Sequence, residues 1–198
     1  MNLPNKLTVA RLIMVPLFVV LMSIDHVATY TIAYIIFTVA SITDYYDGKI
    51  ARDQNLITNF GKLMDPLADK VLMAAAFVMV MKVPQLDVPG WAIVAILARE
   101  FLVTGARSVA TESGHVIAAN KWGKIKTVLQ MVYIFTFLFL ATVFLGLESI
   151  APDFYRQYNG ILRTASLAGI VIVSGFTVFT GLQFARANWA TLKLGNTS

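Results

Sequence analysis

Six long apolar runs divide this chain, separated by short polar stretches: Leu7 to Ile24, His26 to Thr43, Gly61 to Met81, Pro89 to Ala110, Thr127 to Leu147 and Thr164 to Ala185. Each is close to the roughly 20 residues that a helix needs to cross a bilayer. The pattern predicts an all-α integral membrane protein, one domain over residues 1–198, with six transmembrane helices. Met1 to Lys6 reads as a short interfacial segment, and Pro16 as a kink in the first helix. Asp25 and His26 mark a tight turn. The second helix carries a polar extension through Arg52. The third is polar in its first half and apolar in its second. The fourth is interrupted by Arg99, Glu100 and Arg107. The remaining polar stretches read as connections: Asp53 to Phe60, Lys82 to Val88, Thr111 to Lys126 and Glu148 to Arg163, with Arg186 to Ser198 as a tail. No internal repeat or low-complexity tract is present.

Composition agrees with this reading. The chain is 58% hydrophobic and 14% charged, where a soluble domain is about half apolar and about a quarter charged. It has no cysteine, so disulfides and thiolate metal sites are excluded. A net charge of +5 would suggest nucleic acid in a soluble chain. In a membrane chain the positive-inside rule and anionic headgroups account for it. Lys6 and Arg11 before an apolar run imitate a secretory signal, but no small-residue cleavage site follows, so the run is expected to stay as a first span. With a cytoplasmic N-terminus, the outer loops hold Lys82, Arg156 and Arg163, and the other thirteen of sixteen cations fall on the inner side. This bias predicts an active site facing the cytoplasm across the cell membrane.

The stretch from Thr43 to Val71 carries the chemistry. Asp44 and Asp47 are three apart, and Asp65 and Asp69 four apart, so each pair shares one helix face. A short antiparallel connection brings those faces together. Clustered carboxylates without counter-charge repel and take up protons. Hard divalent cations with a preference for oxygen remove the problem, and two of them suit in-line displacement at phosphorus. Gly48 and Gly61 leave room for a ligand against the backbone, and Arg52 suits a phosphate. One aspartate near a helix end is often only a cap. Four at helical spacing, with two glycines and an arginine, point to function.

The pattern Asp44-x2-Asp47-Gly48-x2-Ala51-Arg52-x8-Gly61-x3-Asp65-x3-Asp69 resembles the signature of the CDP-alcohol phosphotransferase family at every fixed position. The resemblance implies a six-helix membrane enzyme, a homodimer, that displaces CMP from a CDP-linked lipid or alcohol with two divalent metal ions. These are Mg²⁺ or Mn²⁺, with Zn²⁺ possible in a purified sample. It implies Asp44, Asp47, Asp65 and Asp69 as metal ligands, with Asp69 also the general base. Asp47, Gly48, Ala51, Arg52 and Gly61 would form the CDP-lipid cradle. Thr58 would contact the nucleotide, as would Asn5 and Thr8 by a weaker likeness.

Further segments, Asn2 to Pro16, Ala98 to Ala110 and Ala118 to Met131, resemble the phosphatidylglycerophosphate synthase branch of that family. The substrates implied are CDP-diacylglycerol and sn-glycerol 3-phosphate. An anionic acceptor needs fixed positive charge, which Arg11, Arg107, Lys121, Lys124 and Lys126 would supply. Topogenic charge explains a basic loop equally well, and explains the helix-embedded Arg107 less well. Arg99 and Glu100 are sequence neighbours and are not expected to pair; Glu100 has no derived role. His115 reads as a solvated loop residue, and Trp91, Trp122 and Trp189 as interfacial anchors. Other acceptors (inositol phosphate, serine, phosphatidylglycerol) remain alternatives. So does a cation transporter, which would place its carboxylates near mid-membrane and in both halves of a repeat.

Overall fold

The computed structural model describes residues 3–53, 59–112, 114, 117 and 121–189; among these, the side chains of 3–4, 44–53, 59–63, 65–66 and 112 lie outside the description. Among the described residues the chain forms six helices and no strand: α1 Leu3–Met22, α2 Val27–Asp53, α3 Asn59–Lys82, α4 Gly90–Glu112, α5 Lys121–Ile150 and α6 Pro152–Ala187. α1, α5 and α6 are long and apolar enough to cross a bilayer by length and composition alone, and α2 contributes a shorter apolar stretch, Val27–Thr43. The molecule is an all-helical integral membrane protein.

Several boundaries differ from those the sequence suggests. α1 begins at Leu3, so Leu3 to Lys6 form its first turn and not a separate surface segment. Lys121, Lys124 and Lys126, expected in a connection, lie in the first two turns of α5. The polar loop expected from Glu148 to Arg163 shrinks to Ala151. Pro152 opens α6, where its missing N–H would have no intrahelical partner anyway. Polar residues here mark the part of a long helix that reaches past the hydrocarbon. At about 1.5 Å per residue α6 measures roughly 54 Å, against a hydrocarbon core of about 30 Å.

The bundle alternates in direction. Lys82 Nζ at the end of α3 donates to the Ser23 carbonyl just after α1, at 3.3 Å. The C-terminal ends of α1 and α3 therefore lie together, at the end where α2 starts. At the same end Tyr30 donates to Asp25 at 3.0 Å, and Arg163 Nε of α6 lies 2.8 Å from Asp87 Oδ2 in the α3–α4 connection. Lys82, Arg156 and Arg163 thus share the end opposite to the close of α2 and the start of α3.

Each helix buries one stripe. On α1, Val15, Phe18 and Met22 are buried while Ile13, Leu17 and Val20 face outward. In water those outward residues would be a liability; in a bilayer lipid covers them. Phe18 and Phe37 join α1 to α2, and Phe77 stacks on Tyr133 between α3 and α5. Gly169 lets α5 approach α6: a Cβ there would stand 3.1 Å from the Tyr133 ring.

Asp87 has a positive φ of 51°, a conformation that Asp tolerates better than most residues. The Arg163 guanidinium hydrogen-bonded to it holds its carboxyl below the usual carboxylate range. A depressed folded-state pKa contributes stability above the unfolded pKa, and that contribution is lost as pH falls through the folded value. Asp87→Asn is therefore expected to lower the melting temperature in detergent slightly at neutral pH. The difference from wild type should fade as pH drops below about 4, where the unfolded carboxyl protonates. It should also shrink in high salt, because the pair is solvent-exposed.

Candidate active site

Three sets of polar residues gather at the end of the bundle away from the Lys82–Ser23 contact. The first lies on α1. Asn5, Thr8 and Arg11 recur every three residues on one buried face, which continues into Val15 and Phe18. α1 packs chiefly against α2 and α3. Thr8 and Arg11 are completely buried, and a charged guanidinium so placed costs much unless it is compensated. Arg11, expected with the acceptor phosphate, thus shares its face with the residues expected to meet the nucleotide.

The second set lies where α2 closes and α3 opens. Asp44, Asp47, Gly48, Ala51 and Arg52 occupy the last turns of α2, and Gly61, Asp65 and Asp69 the first turns of α3. The backbone is helical at all eight, so the expected face-sharing within each aspartate pair holds for the helix phase. The side chains of all but Asp69 lie outside the described residues, and Thr58 and His115 lie outside altogether. Asp69 is half-buried. Among the described residues no group of three or more potential ligands is placed to hold a metal ion. The donor set that the sequence assigns is oxygen only. It sits on two helix ends that open at the same end of the bundle, which suits hard divalent ions.

The third set encloses a chamber of about 410 Å³ between α3, α4 and α5. Asp69 and Lys70 line it from α3, Arg99, Glu100 and Arg107 from α4, and Lys124, Lys126 and Thr127 from α5. This volume suits a small polar ligand. A second, narrower pocket of about 40 Å³ adjoins it and shares Asp69, Lys70, Glu100, Lys126 and Thr127 with it. Phe77, Ile96 and Gln130 also line this pocket. Of the expected acceptor residues, Arg107, Lys124 and Lys126 line the chamber. Lys121 is exposed on the first turn of α5 and is not part of the lining.

The charges in this chamber are specifically arranged. Lys126 is buried, and its ammonium is hydrogen-bonded to Glu100 Oε1. Gln130 Nε2 donates to the same oxygen at 3.3 Å and lies 3.2 Å from Thr177 Oγ1 of α6. Arg99 Nη1 lies 3.6 Å from Glu100 Oε1, so these neighbours do pair, against the sequence expectation. Both side chains are long enough to close the roughly 100° between their Cα directions, and both turn toward the same polar space. Arg107 sits over the Phe184 ring of α6, 5.4 Å from its centroid, a cation–π contact that holds the guanidinium at the chamber wall. Lys70, Glu100 and Gln130 were not assigned to the site from sequence. Gln130 was findable, because it follows Lys126 by four residues and so shares its helix face.

A helical membrane bundle with a carboxylate-bearing helix pair and a cation-lined chamber at one end has the charges to handle anionic groups at a bilayer surface. The sequence profile of the CDP-alcohol phosphatidyltransferase family matches residues 1–186, and the chain belongs to that family. It is 38% identical, over 98% of its length and 99% of the relative's, to the CDP-diacylglycerol–glycerol-3-phosphate 3-phosphatidyltransferase of Bacillus subtilis (strain 168). It is 41% identical to the protein of that name from Rickettsia bellii (strain RML369-C), over 90% of this chain and 93% of the relative. With a probable phosphatidylglycerophosphate synthase of Mycobacterium tuberculosis (strain H37Rv) it shares 37% identity, over 83% and 87% of the two chains.

Gly181 of α6 faces Arg99 so closely that an added Cβ would lie 2.8 Å from Arg99 Cγ, whereas Gly105 of α4 has open space around its Cβ position. Both glycines are helical, so the propensity gain from alanine is similar at each. Gly181→Ala is expected to be less stable than Gly105→Ala by about 1–3 kcal/mol, the usual cost of overpacking. Thermal melts of the two variants in the same detergent measure the difference.

Proposed function

We propose that this protein transfers the phosphatidyl group of CDP-diacylglycerol to sn-glycerol 3-phosphate, giving phosphatidylglycerophosphate and CMP. The observation that carries the reading is the chamber in which Asp69 shares one cavity with Arg107, Lys124 and Lys126. A carboxylate beside a cluster of cations is what attack by the hydroxyl of a phosphorylated alcohol requires: one group to take a proton, others to anchor the phosphate. Serine offers no phosphate to such a cluster. The names of the B. subtilis and R. bellii relatives support the same acceptor.

In this mechanism Arg107 and Lys124 hold the acceptor phosphate with Lys126, and Lys121 adds positive potential at the approach. The glycerol hydroxyl is then directed toward Asp69, which takes its proton. The hydroxyl oxygen attacks the phosphorus that bears the diacylglycerol, the bond from that phosphorus to the bridging oxygen breaks, and CMP leaves with the bridging oxygen. Gly48, Ala51 and Gly61 admit the diphosphate against the helix backbones. Asp47, Arg52, Thr58, Asn5 and Thr8 orient the cytidine diphosphate, with the buried Arg11 adding positive charge beside Asn5 and Thr8. Asp44, Asp47, Asp65 and Asp69 would hold two divalent ions, Mg²⁺ or Mn²⁺, which when bound supply neutralisation of the diphosphate charge. The acyl chains stay in the bilayer while the headgroup reacts at its cytoplasmic face, as the inward excess of Lys and Arg implies. A homodimer belongs to this reading through the family resemblance.

Asp69→Asn is expected to lower CMP release by about 10²–10⁴-fold, the range of a lost general base, with the melting temperature retained. Activity near wild type would remove Asp69 from the mechanism. Chelation is expected to abolish turnover and added Mg²⁺ to restore it; turnover that persists in EDTA would exclude the metal pair. Arg107→Ala is expected to raise the KM for glycerol 3-phosphate about 10–100-fold, the equivalent of a lost charged hydrogen bond, and to leave the KM for CDP-diacylglycerol nearly unchanged. Inositol phosphate assayed beside glycerol 3-phosphate identifies the acceptor, and preference for it would overturn that part of the proposal.

A further inference from the structure

Glu100 stands out because it works against the chamber's apparent purpose. A carboxylate on the wall of an anion site weakens the site unless it does something else there. It lies among Lys70, Arg99, Arg107, Lys124 and Lys126. Its Oε1 accepts from Lys126 and from Gln130, and Arg99 Nη1 approaches the same atom. Gln130 in turn contacts Thr177 of α6, a fully buried residue. One oxygen on α4 therefore gathers groups from α4 and α5, and is braced from α6.

The lining of the two cavities shows what this gathering achieves. Arg107 and Lys124 line only the open chamber. Lys126, Glu100 and Asp69 line both the chamber and the small, narrower pocket. Lys126 thus belongs to the part where the two cavities meet, which Asp69 also lines. A lysine near a helix end otherwise extends its stem and carries its ammonium to water. Here it is 5% exposed, turned inward by the bond to Glu100. Phosphate anchored only by Arg107 and Lys124 would be held by groups that line the chamber alone, without the lysine that shares both cavities with Asp69.

We propose that Glu100 is a positioning residue for the acceptor: it holds the Lys126 ammonium at the inner wall of the chamber, so that a bound phosphomonoester places its hydroxyl at Asp69. Gln130, seated on Thr177, fixes the Glu100 carboxylate in turn. This inference rests on the chamber being the acceptor site. Its opposite is a pair that serves stability alone, since a buried ion pair can often be replaced by apolar residues with little loss.

The test is steady-state kinetics of the full-length protein in detergent–lipid micelles, with glycerol 3-phosphate and CDP-diacylglycerol varied separately and melting temperature recorded alongside. Glu100→Gln is expected to raise the KM for glycerol 3-phosphate about tenfold, of the order of a lost charge-assisted contact. The KM for CDP-diacylglycerol should stay within about twofold, where no such contact is lost. Gln130→Leu, which leaves every charge in place, should shift the same constant in the same direction by about threefold, less than Glu100→Gln because Lys126 keeps its carboxylate partner. The reciprocal exchange, Glu100→Lys with Lys126→Glu, restores a pair but moves the ammonium to α4. It should recover melting temperature without recovering the KM for glycerol 3-phosphate. An exchange that recovers both, or variants that lose stability with unchanged KM, would overturn the proposal and leave a structural pair. If Glu100→Gln does not fold, Gln130→Leu decides. Arg107→Ala and Lys124→Ala separate the two levels. If neither moves the KM for glycerol 3-phosphate, the chamber is not the acceptor site. If they move it and Glu100→Gln does not, only the role of Glu100 falls.

Discussion

A charged group can enter a membrane protein only where something compensates it, and this constraint orders the whole molecule. The outward faces of α1 and α5 carry residues such as Ile13, Val20, Val128 and Phe139, which lipid can cover. Among the described residues, three cations of α4 and α5 at one end of the bundle each lie against a specific group: Lys126 on Glu100, Arg107 over Phe184, Arg99 beside Glu100 and packed on Gly181. Such placements are costly in a low dielectric. Their concentration around one chamber, beside the helix ends that bear the aspartates, gives them a chemical purpose. In the proposed reaction, that purpose is to receive an anionic acceptor.

The apolar part of the bundle serves the polar part. α5 shows how. Along its buried face, Lys126, Gln130 and Tyr133 come first, then Ile134, Phe137 and Ala141. Each polar member has a partner on a neighbouring helix: Glu100 of α4 for Lys126 and Gln130, Thr177 of α6 for Gln130, Ser166 of α6 for Tyr133 at 3.0 Å. Phe137 packs against α6, where Gly169 allows close approach, and Phe135 of the same helix packs on Phe37 of α2. A helix gripped in this way along its length cannot rotate or slide without breaking several contacts together, so the lysines at its start keep a fixed relation to Asp69.

Much of this was legible in the sequence, for identifiable reasons. Apolar runs of membrane length are a strong signal, so all six helices were expected. The gapped aspartate pattern is long enough to point to one family. What was misjudged was governed by tertiary context. Polar residues at Lys121 to Lys126 and at Glu148 to Arg163 look like loops if the bilayer is taken as the limit of a helix, yet both belong to helices that outrun it. Pro152, within the connection expected there, is a helix start. Arg99 and Glu100 looked divergent because helix geometry fixes only Cα directions, while the destination of a long side chain depends on what faces it. Lys126, one of several equivalent lysines in the sequence, is distinguished only by Glu100 across the α4–α5 gap. The side chains of Asp44, Asp47, Asp65 and Arg52 lie outside the described residues, so for them helix phase and position carry the argument.

The junction at Ala151 has a consequence for how the chain is made. One residue separates the 30 residues of α5 from the 36 of α6, so the two helices are joined as a tight antiparallel pair. Such a pair can enter the membrane as a hairpin. Gln130 can then meet Thr177, and Tyr133 can meet Ser166, before either partner faces hydrocarbon alone. The polar seam that later steadies the catalytic end would thus first ease the entry of its own helices into the membrane.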